Sequence, residues 1–475
     1  MRNDLLKILY IDTAHADIGG AFMQFANERF QQLFDHSTKT AADKNVIMPE
    51  LYKAYNVKRG LRNEDGTGVL VGLTSIGEVH GYIISEGEKE PVEGKLSYRG
   101  IDVNEIVKNC QEEDRFGFEE TVYLLLFGVL PTKSQLEEFN GLLGELRSLP
   151  DGFTEDMILK MPSHDIMNKL ARCVLACYTY DEKPDEISLL NMMRQSIELI
   201  ARVPTMAAYA LQAKLHYYDG KSLFLHSPKP ELSTAENFLR IIRPDKQYTR
   251  LEAMTLDSAL ILHAEHGGGN NSSFVTHVVS SSGTDTYSAI AAAIGSLKGP
   301  KHGGANAKVM GMVQNIKENI KDITSPQEIG DYLRKIIRKE AFDGTGLIYG
   351  MGHAVYTISD PRAVLLKQKA FELAKEKNMT DEFTLYSLIE ELTPQIFCEE
   401  KNEDKIISAN VDLYSGFVYQ MLNIPSELYT PIFAVSRMVG WCAHRIEEVY
   451  TSNKIIRPAY KSVAKKQSYV LLNER

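Results

Sequence analysis

Three histidines and one aspartate lie in short glycine-rich or asparagine-rich strings in the C-terminal half of the chain. His266 lies in HAEHGGGNNS, His302 in GPKHGGAN, His353 in YGMGHAV and Asp412 in NVDLYSG. Three arginines are interleaved with them or follow them: Arg362, Arg437 and Arg457. A histidine titrates near neutrality, a carboxylate can abstract a proton, and arginine binds carboxylates through paired hydrogen bonds. The pattern therefore predicts acid–base chemistry on an anionic substrate.

The surroundings of His302 favour a neutral ring. It follows Gly299-Pro300-Lys301 and precedes a helix expected to begin near Ala305. The positive end of the helix dipole disfavours the imidazolium, and a neutral imidazole can donate one hydrogen bond to a developing enolate oxygen. Taken singly, a loop histidine such as His302 can equally be structural, and a lone Asp412 can be a helix cap or a surface charge.

His263 and His266 lie three residues apart at the end of an apolar helix, DSALILHAEH, so we expect them to share a face. Three interpretations stay open: ligand-facing histidines, structural helix-end histidines, and a metal site with Glu265. The metal interpretation lacks a third and fourth ligand nearby, and nothing resembles HExxH. We therefore expect no metal.

The string GTGLIYGMGHAV suggests a dinucleotide-binding loop at first sight. A helical pattern ending near Glu340 precedes it, whereas a nucleotide loop requires a strand and a βαβ unit. We interpret it as a loop whose backbone approaches a ligand because Gly350 and Gly352 lack side chains, with His353 projecting from its end.

Helical periodicity dominates the elements that must position these residues. Predicted helices include Phe118 to Gly128, a helix opened by a capping box at Ser325 and Glu328, a helix opened by Asp360-Pro361 with Arg362 in its first turn, Thr380 to Leu392 ahead of Pro394, and Tyr429 to Tyr450. Strand signals are confined mostly to residues 66–101. The predicted fold class is mainly α with this small β-rich region.

Composition excludes several classes of protein. The 475 residues are 44% hydrophobic and 24% charged, with net charge −10 and pI about 5.7, which argues against nucleic acid as a partner. No apolar run reaches the ~18 residues of a membrane span, and we expect no secretory leader. Five cysteines form no disulfide framework. Cys173 and Cys177, one turn apart, could be a redox or metal pair but are expected to be buried thiols. A cytoplasmic protein is expected.

In order along the chain, the strings GKLSYRGIDVNEIV, FEETVYLLLFGVLP, VPTMAAYA, LILHAEHGGGNNS, SLKGPKHGGAN, GMGHAVYTISDPR, NVDLYSG and IIRP resemble the citrate synthase family. The resemblance covers about four-fifths of the chain, and the first ~90 residues match less well. It implies a helical homodimer that condenses acetyl-CoA with oxaloacetate and water to give citrate and CoA, a transferase of the tricarboxylic acid cycle. The implied domains are a large one, residues 1–301 with 413–475, and a small closing one, residues 302–412.

The resemblance also implies roles for individual residues. Asp412 would remove a proton from the acetyl methyl, His302, oriented by Ser272, would stabilise the enol or enolate, and His353 would polarise the oxaloacetate ketone. The carboxylates would be held by His266, Arg362, Arg437 and Arg457, with Arg457 reaching in from the partner subunit. The physical logic agrees, because a thioester α-proton is too weakly acidic for a carboxylate unless the oxyanion is stabilised as it forms.

CoA would be bound by Leu347, Gly350, Met351, Gly352 and Lys298, and no further cofactor is expected. Residues 356–359 depart from the family, since many members carry a basic residue between the GHAV-like string and DPR. Phosphate contacts must then come from elsewhere, with candidates at Lys298, Lys301, Lys461 and Lys465.

Three alternatives remain open on the sequence alone. 2-Methylcitrate synthase performs the same chemistry with propionyl-CoA, and one methylene changes discrimination by only ~1–3 kcal/mol. A metal-dependent hydrolase would use His263, His266 and a distant carboxylate. A catalytically silent CoA-binding or scaffold protein is disfavoured, because competent residues fill all the catalytic positions.

Overall fold

The computed structural model describes residues 28–64, 66–85, 88–403, 406–452 and 454–475. The chain divides into two compact units, Met1–Val71 and Gly72–Arg475, and every residue of the predicted site belongs to the second. The division into a large domain and a small domain over residues 302–412 stays a prediction.

The mainly α fold class is confirmed. The elements are α1 (Glu28–Lys44), α2 (Pro49–Ala54), β1 (Gly77–Ser85), β2 (Glu88–Tyr98), β3 (Ile101–Asp102), α3 (Val103–Glu112), α4 (Phe118–Phe127), α5 (Lys133–Leu146), α6 (Ile166–Ala176), α7 (Leu189–Tyr217), α8 (Thr234–Ile242), α9 (Arg250–His263), α10 (Asn271–Ser280), α11 (Thr286–Lys298), α12 (Ala305–Asn319), α13 (Pro326–Ile337), α14 (Pro361–Lys377), α15 (Thr380–Lys401), α16 (Val411–Met421) and α17 (Tyr429–Thr451). Short turns of 3₁₀ or π helix connect some of them.

The small sheet is antiparallel, in the order β1-β2-β3. On β2, Leu96 and Tyr98 are buried while Lys95 just before them is exposed, which is the alternation of a half-buried strand. The sheet begins only at Gly77. The expectation of strands from residue 66 is therefore wrong for its first part, where the apolar side chain of Leu73 stays exposed.

Most predicted helix ends are confirmed. Gly128 ends α4 with a positive φ of 80°, and Asp360 caps α14, where Pro361 is the first residue and Arg362 lies in the first turn. The capping box at α13 is half wrong. Ser325 Oγ accepts from the Glu328 backbone N–H, but the Glu328 carboxylate accepts from backbone N–H groups of the preceding loop instead of returning to Ser325.

The predicted stop before Pro394 is wrong, because α15 continues through it to Lys401. A proline removes one backbone donor and strains the preceding turn. Here Ile389 and Ile396 are buried on either side of Pro394, so packing of the apolar face outweighs the lost hydrogen bond.

Helix α17 lies at the centre of the second unit. It packs against α7, α9, α10 and α11, and its residues 434–445 are all buried. Its middle is therefore a rigid support on which side chains can be held with little freedom. Among the described residues, no helix combines the length and apolar character needed to cross a bilayer.

Two glycines of α5 test how tightly this unit is packed. A Cβ at Gly144 would lie 2.3 Å from the Pro230 carbonyl oxygen, whereas nothing lies within 4 Å of a Cβ at Gly141. We expect Gly144→Ala to destabilise the protein by about 1–3 kcal/mol through overpacking, and Gly141→Ala to stabilise it by about 0.5–1 kcal/mol. Denaturant unfolding of both variants checks this. Equal stabilities would contradict the close packing of α5 on residue 230.

Candidate active site

A hydrogen bond to the start of α10 holds the His302 ring. His302 Nε2 lies 3.1 Å from Ser272 Oγ, so the structure brings together the pair that the sequence analysis associates. Trp441 Nε1 donates to the same hydroxyl oxygen at 3.1 Å, and Asn270 Oδ1 lies 2.9 Å from it. Because an indole N–H is donor-only, Ser272 must accept from Trp441 and keeps its own hydrogen for His302 or Asn270.

Burial keeps His266 and His302 neutral. Burial, reinforced by the charge of Arg437, lowers the pKa of His302 to about 4. The pKa of His266 also falls well below its usual value, through burial and then the charge of Arg362. The sequence analysis expects a neutral His302 because of a helix dipole, whereas desolvation is the larger cause here.

His353 is fixed by backbone donors and a stacked ring. Its Nδ1 accepts from the N–H groups of Val355 (3.1 Å) and Tyr356 (3.2 Å), so a neutral ring carries its proton on Nε2. The Tyr356 ring stacks on the imidazole at 4.7 Å, and His266 meets it edge-on at 5.3 Å. The buried Nε2 of His266 has no hydrogen-bond partner among the described residues, which leaves that nitrogen for a ligand.

Arg362 belongs to a buried ion pair that joins two helix starts. Its Nε donates to Asp360 Oδ1 at 3.0 Å and its Nη2 to Asp360 Oδ2 at 2.8 Å, with both residues almost fully buried. The Val411 backbone N–H donates to the same carboxylate at 3.3 Å. One aspartate therefore orients the guanidinium and ties α14 to α16, the helix that carries Asp412.

Asn410 connects the His353 loop to the Asp412 helix. As the N-cap of α16, it accepts from the Asp412 backbone N–H at 3.0 Å, and its side-chain amide donates to the Gly352 carbonyl at 2.8 Å. Its backbone N–H donates to the Gly350 carbonyl. Gly350 has a φ of 84°, a conformation that L-residues rarely adopt. His353 and Asp412 are thus set by one hydrogen-bonded unit.

The Asp412 carboxyl is buried and has a raised pKa. Burial raises its pKa to about 6, while the Arg362 charge opposes the rise and the Asp360 charge adds to it. A carboxylate with a raised pKa is a stronger base that is still ionised at neutral pH.

Arg437 is buried on α17, and most of its guanidinium N–H donors have no hydrogen-bond partner among the described residues. Its Nε donates to the His263 carbonyl at 2.6 Å, and no carboxylate oxygen of the described residues lies within 4 Å of its guanidinium. His263 is structural: its Nε2 pairs with Tyr419 Oη at 2.8 Å, and its ring stacks on Phe433. Helix α9 ends at His263, so the expectation that His263 and His266 share a helical face is wrong.

Arg457 does not join this cluster within one chain. It is exposed beyond the end of α17, and the neighbouring Ile456 N–H donates to Ser281 Oγ at the C-terminal end of α10. Ser272, which contacts His302, lies at the opposite end of that helix. A helix of this length separates its ends by about 15 Å.

The loop before His353 lines a cavity of about 450 Å³. Its walls are formed by Pro91, Gly346, Leu347, Ile348, Met351, Gly352, His353, Tyr356, Thr357, Thr393, Phe397, Ile406 and Ile407. Three predicted CoA-binding residues, Leu347, Met351 and Gly352, are among them. None of these described wall residues is a lysine or an arginine.

The other two predicted CoA-binding residues lie elsewhere. Gly350 packs against Leu413, where a Cβ would come within 3.0 Å of its backbone. Lys298, at the end of α11, forms an ion pair with Asp165 at 3.0 Å. Among the described residues, no three histidine, cysteine or acidic side chains are grouped as metal ligands. Cys173 and Cys177 are buried, as expected of packed thiols.

Sequence reasoning missed the role of Trp441. The signal was available, because Trp441 follows Arg437 by four residues and therefore shares its helical face. The sequence analysis mentions residue 356 only because the segment 356–359 lacks a basic residue. The Tyr356 ring nevertheless contacts His353 and His266.

Comparison with known proteins identifies the family. The family model described as citrate synthase, C-terminal domain, matches residues 65–459. The chain belongs to the citrate synthase family. A citrate synthase of Haloferax volcanii is 33% identical over 397 residues, covering 82% of this chain and 95% of the relative. A 2-methylcitrate synthase of Corynebacterium glutamicum is 32% identical over 427 residues, covering 88% and 98%.

A solved structure of a citrate synthase has the same fold as this chain. The citrate synthase of Thermoplasma acidophilum, in a ternary complex with carboxymethyl coenzyme A and oxaloacetate, superposes with a TM-score of 0.70. It is 25% identical and covers 88% of this chain and 99% of its own. As a citrate synthase family member, this protein is an enzyme of the acyltransferase class.

The raised pKa of Asp412 generates a prediction about pH. Protonation removes the base, so kcat/KM should fall about tenfold per unit as the pH drops below about 6. Asp412→Asn should lower kcat by about 10²–10⁴-fold with little change in thermal stability. Asp331→Asn, on the surface of α13, is the control. A parental rate in Asp412→Asn would contradict the assignment of Asp412 as the base.

Proposed function

We propose that this enzyme condenses acetyl-CoA with oxaloacetate to form citrate and free CoA. The observation that carries the proposal is that Asp412, His266 and His302 lie close enough to the buried Arg362 and Arg437 for the arginine charges to lower their pKa values. Burial favours the neutral form of His266 and His302, and Asp412, despite its raised pKa, is still ionised at neutral pH.

Asp412 takes a proton from the acetyl methyl of the thioester. The resulting enol or enolate oxygen is stabilised by a hydrogen bond from neutral His302. When the Ser272 hydroxyl hydrogen points to His302 Nε2 and not to Asn270 Oδ1, the neutral ring keeps its proton on Nδ1 for the thioester oxygen. Donors aimed at charge that develops in the transition state are an effective form of catalysis.

The nucleophilic carbon then attacks the oxaloacetate ketone. The proton on His353 Nε2 polarises that ketone, and His266, Arg362 and Arg437 hold the two carboxylates. As the carbon–carbon bond forms, the ketone C=O π bond breaks and its oxygen takes up a proton through His353 to become a hydroxyl group. Water then cleaves the thioester carbon–sulfur bond, giving its hydroxyl to the acyl carbon and a proton to the sulfur of CoA. Closure of the small domain, residues 302–412, over the site would exclude water until the condensation is complete.

The apolar cavity beside His353 supports a site for the acyl-CoA. Leu347, Met351 and Gly352 line it, and Gly350 permits the loop to turn. We retain Lys298 as a phosphate contact, which requires it to leave Asp165 when CoA binds. No metal or further cofactor takes part in the proposed reaction.

2-Methylcitrate synthesis is the second candidate, because relatives of similar identity carry either name. Steady-state CoA release with oxaloacetate should give a higher kcat/KM for acetyl-CoA than for propionyl-CoA, by about 10-fold or more. A preference for propionyl-CoA would replace citrate by 2-methylcitrate as the product. No CoA release from either substrate would sink the proposal, and loss of activity with a chelator would favour the metal-dependent alternative.

We further propose a homodimer in which Arg457 completes the partner's site. The separation of Arg457 from Ser272 by the length of α10 supports a role in trans. None of the five cysteines forms a disulfide, which supports a reducing compartment such as the cytoplasm.

Mixed dimers test the Arg457 proposal. Asp412→Ala and Arg457→Ala should each be nearly inactive alone. If Arg457 acts in trans, co-refolding or co-expressing them at equal amounts should restore about a quarter of parental activity, since half the dimers are mixed and each has one intact site. No restoration, with mixed dimers verified by tag capture, would place Arg457 in its own chain's site.

A further inference from the structure

Four titratable side chains form a hydrogen-bonded series behind the candidate site. Glu265 Oε1 lies 2.9 Å from His444 Nε2, His444 Nδ1 lies 3.1 Å from His277 Nε2, and His277 Nδ1 lies 2.7 Å from Glu448 Oε2. Glu265 and His444 are completely buried, and the Glu448 side chain is 11% exposed. The proposed function uses none of the four.

Two glycines from separate elements make the room for Glu265. A Cβ at Gly77 on β1 would lie 2.7 Å from Glu265 Cγ, and a Cβ at Gly440 on α17 would lie 2.2 Å from Glu265 Oε2. Both separations are shorter than real Cβ contacts allow. The backbone of Gly440 also donates to the Ala264 carbonyl. The Glu265 carboxylate is therefore accommodated by the absence of a side chain at both Gly77 and Gly440.

The charges of the two buried arginines of the site are compensated in different ways. Arg362 is bound by both oxygens of Asp360. Arg437 has no such partner among the described residues, and only its Nε is committed, to the His263 carbonyl. Among nearby groups, Glu265 exerts the strongest influence raising the pKa of Arg437 against the effect of burial, ahead of Tyr98 and Asp412.

We propose that Glu265 is a positioning residue that acts through Arg437. Its carboxylate balances the guanidinium charge from a distance, so the Nη donors stay free for a substrate carboxylate and are not drawn to Asp412. This inference rests on the proposed function and extends it to a residue that touches neither substrate. His444, His277 and Glu448 keep Glu265 in its place and supply a donor to Oε1.

The groups around Arg437 determine the effect of removing the Glu265 charge. Arg437 is faced by His263 at the end of α9, by Glu265 and His266 from the loop after it, by His302 from the loop before α12, by Arg362 from α14, by Asp412 from α16 and by Tyr98 from β2. Glu265 faces His444 and Arg437 on α17, Tyr98 on β2 and Arg99 just after it. With Glu265 neutral, Asp412 is the remaining carboxylate that attracts Arg437. Their approach would stabilise ionised Asp412 and engage the donors that oxaloacetate needs.

Glu265→Gln is the test, because it removes the charge while keeping the size and a hydrogen bond to His444. We expect the acidic limb of kcat/KM to move to lower pH by about half a unit or more. KM for oxaloacetate should rise about 3- to 10-fold and KM for the acyl-CoA should stay within about twofold of the parent. Glu265→Asp, which restores the charge, should recover part of both effects.

Glu252→Gln is the matched control, since Glu252 is equally buried but pairs with Arg243 and Lys377 away from the site. It should lower the melting temperature without moving the acidic limb or either KM. If Glu265→Gln fails to fold, Glu448→Gln at the outer end of the series should give smaller shifts in the same directions.

The outcomes separate the two proposals. If the parent enzyme is active but Glu265→Gln leaves the acidic limb and both KM values unchanged, only the role of Glu265 is overturned. If Glu265→Gln does not fold, the same result in Glu448→Gln has the same meaning. A parent that releases no CoA would overturn the proposed function and this inference with it.

Discussion

The burial of two guanidinium groups is the constraint on which the rest of this site depends. Moving a charged group out of water costs several kcal/mol after relaxation, unless other charges and hydrogen bonds compensate. Arg362 is compensated by the bidentate Asp360, whose second task is to accept from the start of α16. Arg437 is compensated by one backbone carbonyl and by charges at longer range. Arg437 thus keeps guanidinium donors that no carboxylate among the described residues occupies.

The same burial sets the protonation states of the other groups. It lowers the pKa values of His266 and His302, the arginine charges lower them further, and both rings are neutral at physiological pH. The same charges restrain the rise that burial imposes on Asp412, leaving its pKa at about 6. Charged arginines, neutral histidines that can donate a hydrogen bond and a carboxylate that can accept a proton can thus coexist within one site.

Much of this could be read from the sequence, because glycine and asparagine strings mark the loops that carry His266, His302 and His353 and the helix start that carries Asp412. The helix with Arg362 in its first turn is predicted from Asp360-Pro361 alone. Long-range packing could not be read in this way. Pro394 lies inside a helix because buried residues flank it, and the half-formed capping box reflects a loop that competes for Glu328.

The supporting contacts of α17 were the least accessible to sequence analysis. Arg437, Gly440, Trp441 and His444 share one face of that helix and reach four different partners, but their spacing resembles that of any buried helix. Only the fold reveals that Trp441 meets Ser272 and that Gly440 leaves space for Glu265. The location of Arg457 likewise depends on where α10 ends.

The central claim is that the positive charge of the site resides on Arg362 and Arg437 while His266 and His302 stay neutral. Calorimetric titration of oxaloacetate into the Asp412→Asn variant at pH 7.5, in buffers of different ionisation enthalpy, measures proton uptake without a contribution from that carboxyl. The account predicts binding with essentially no net proton uptake. Uptake of about one proton per site would contradict it, because a histidine would then have to become charged to hold the substrate.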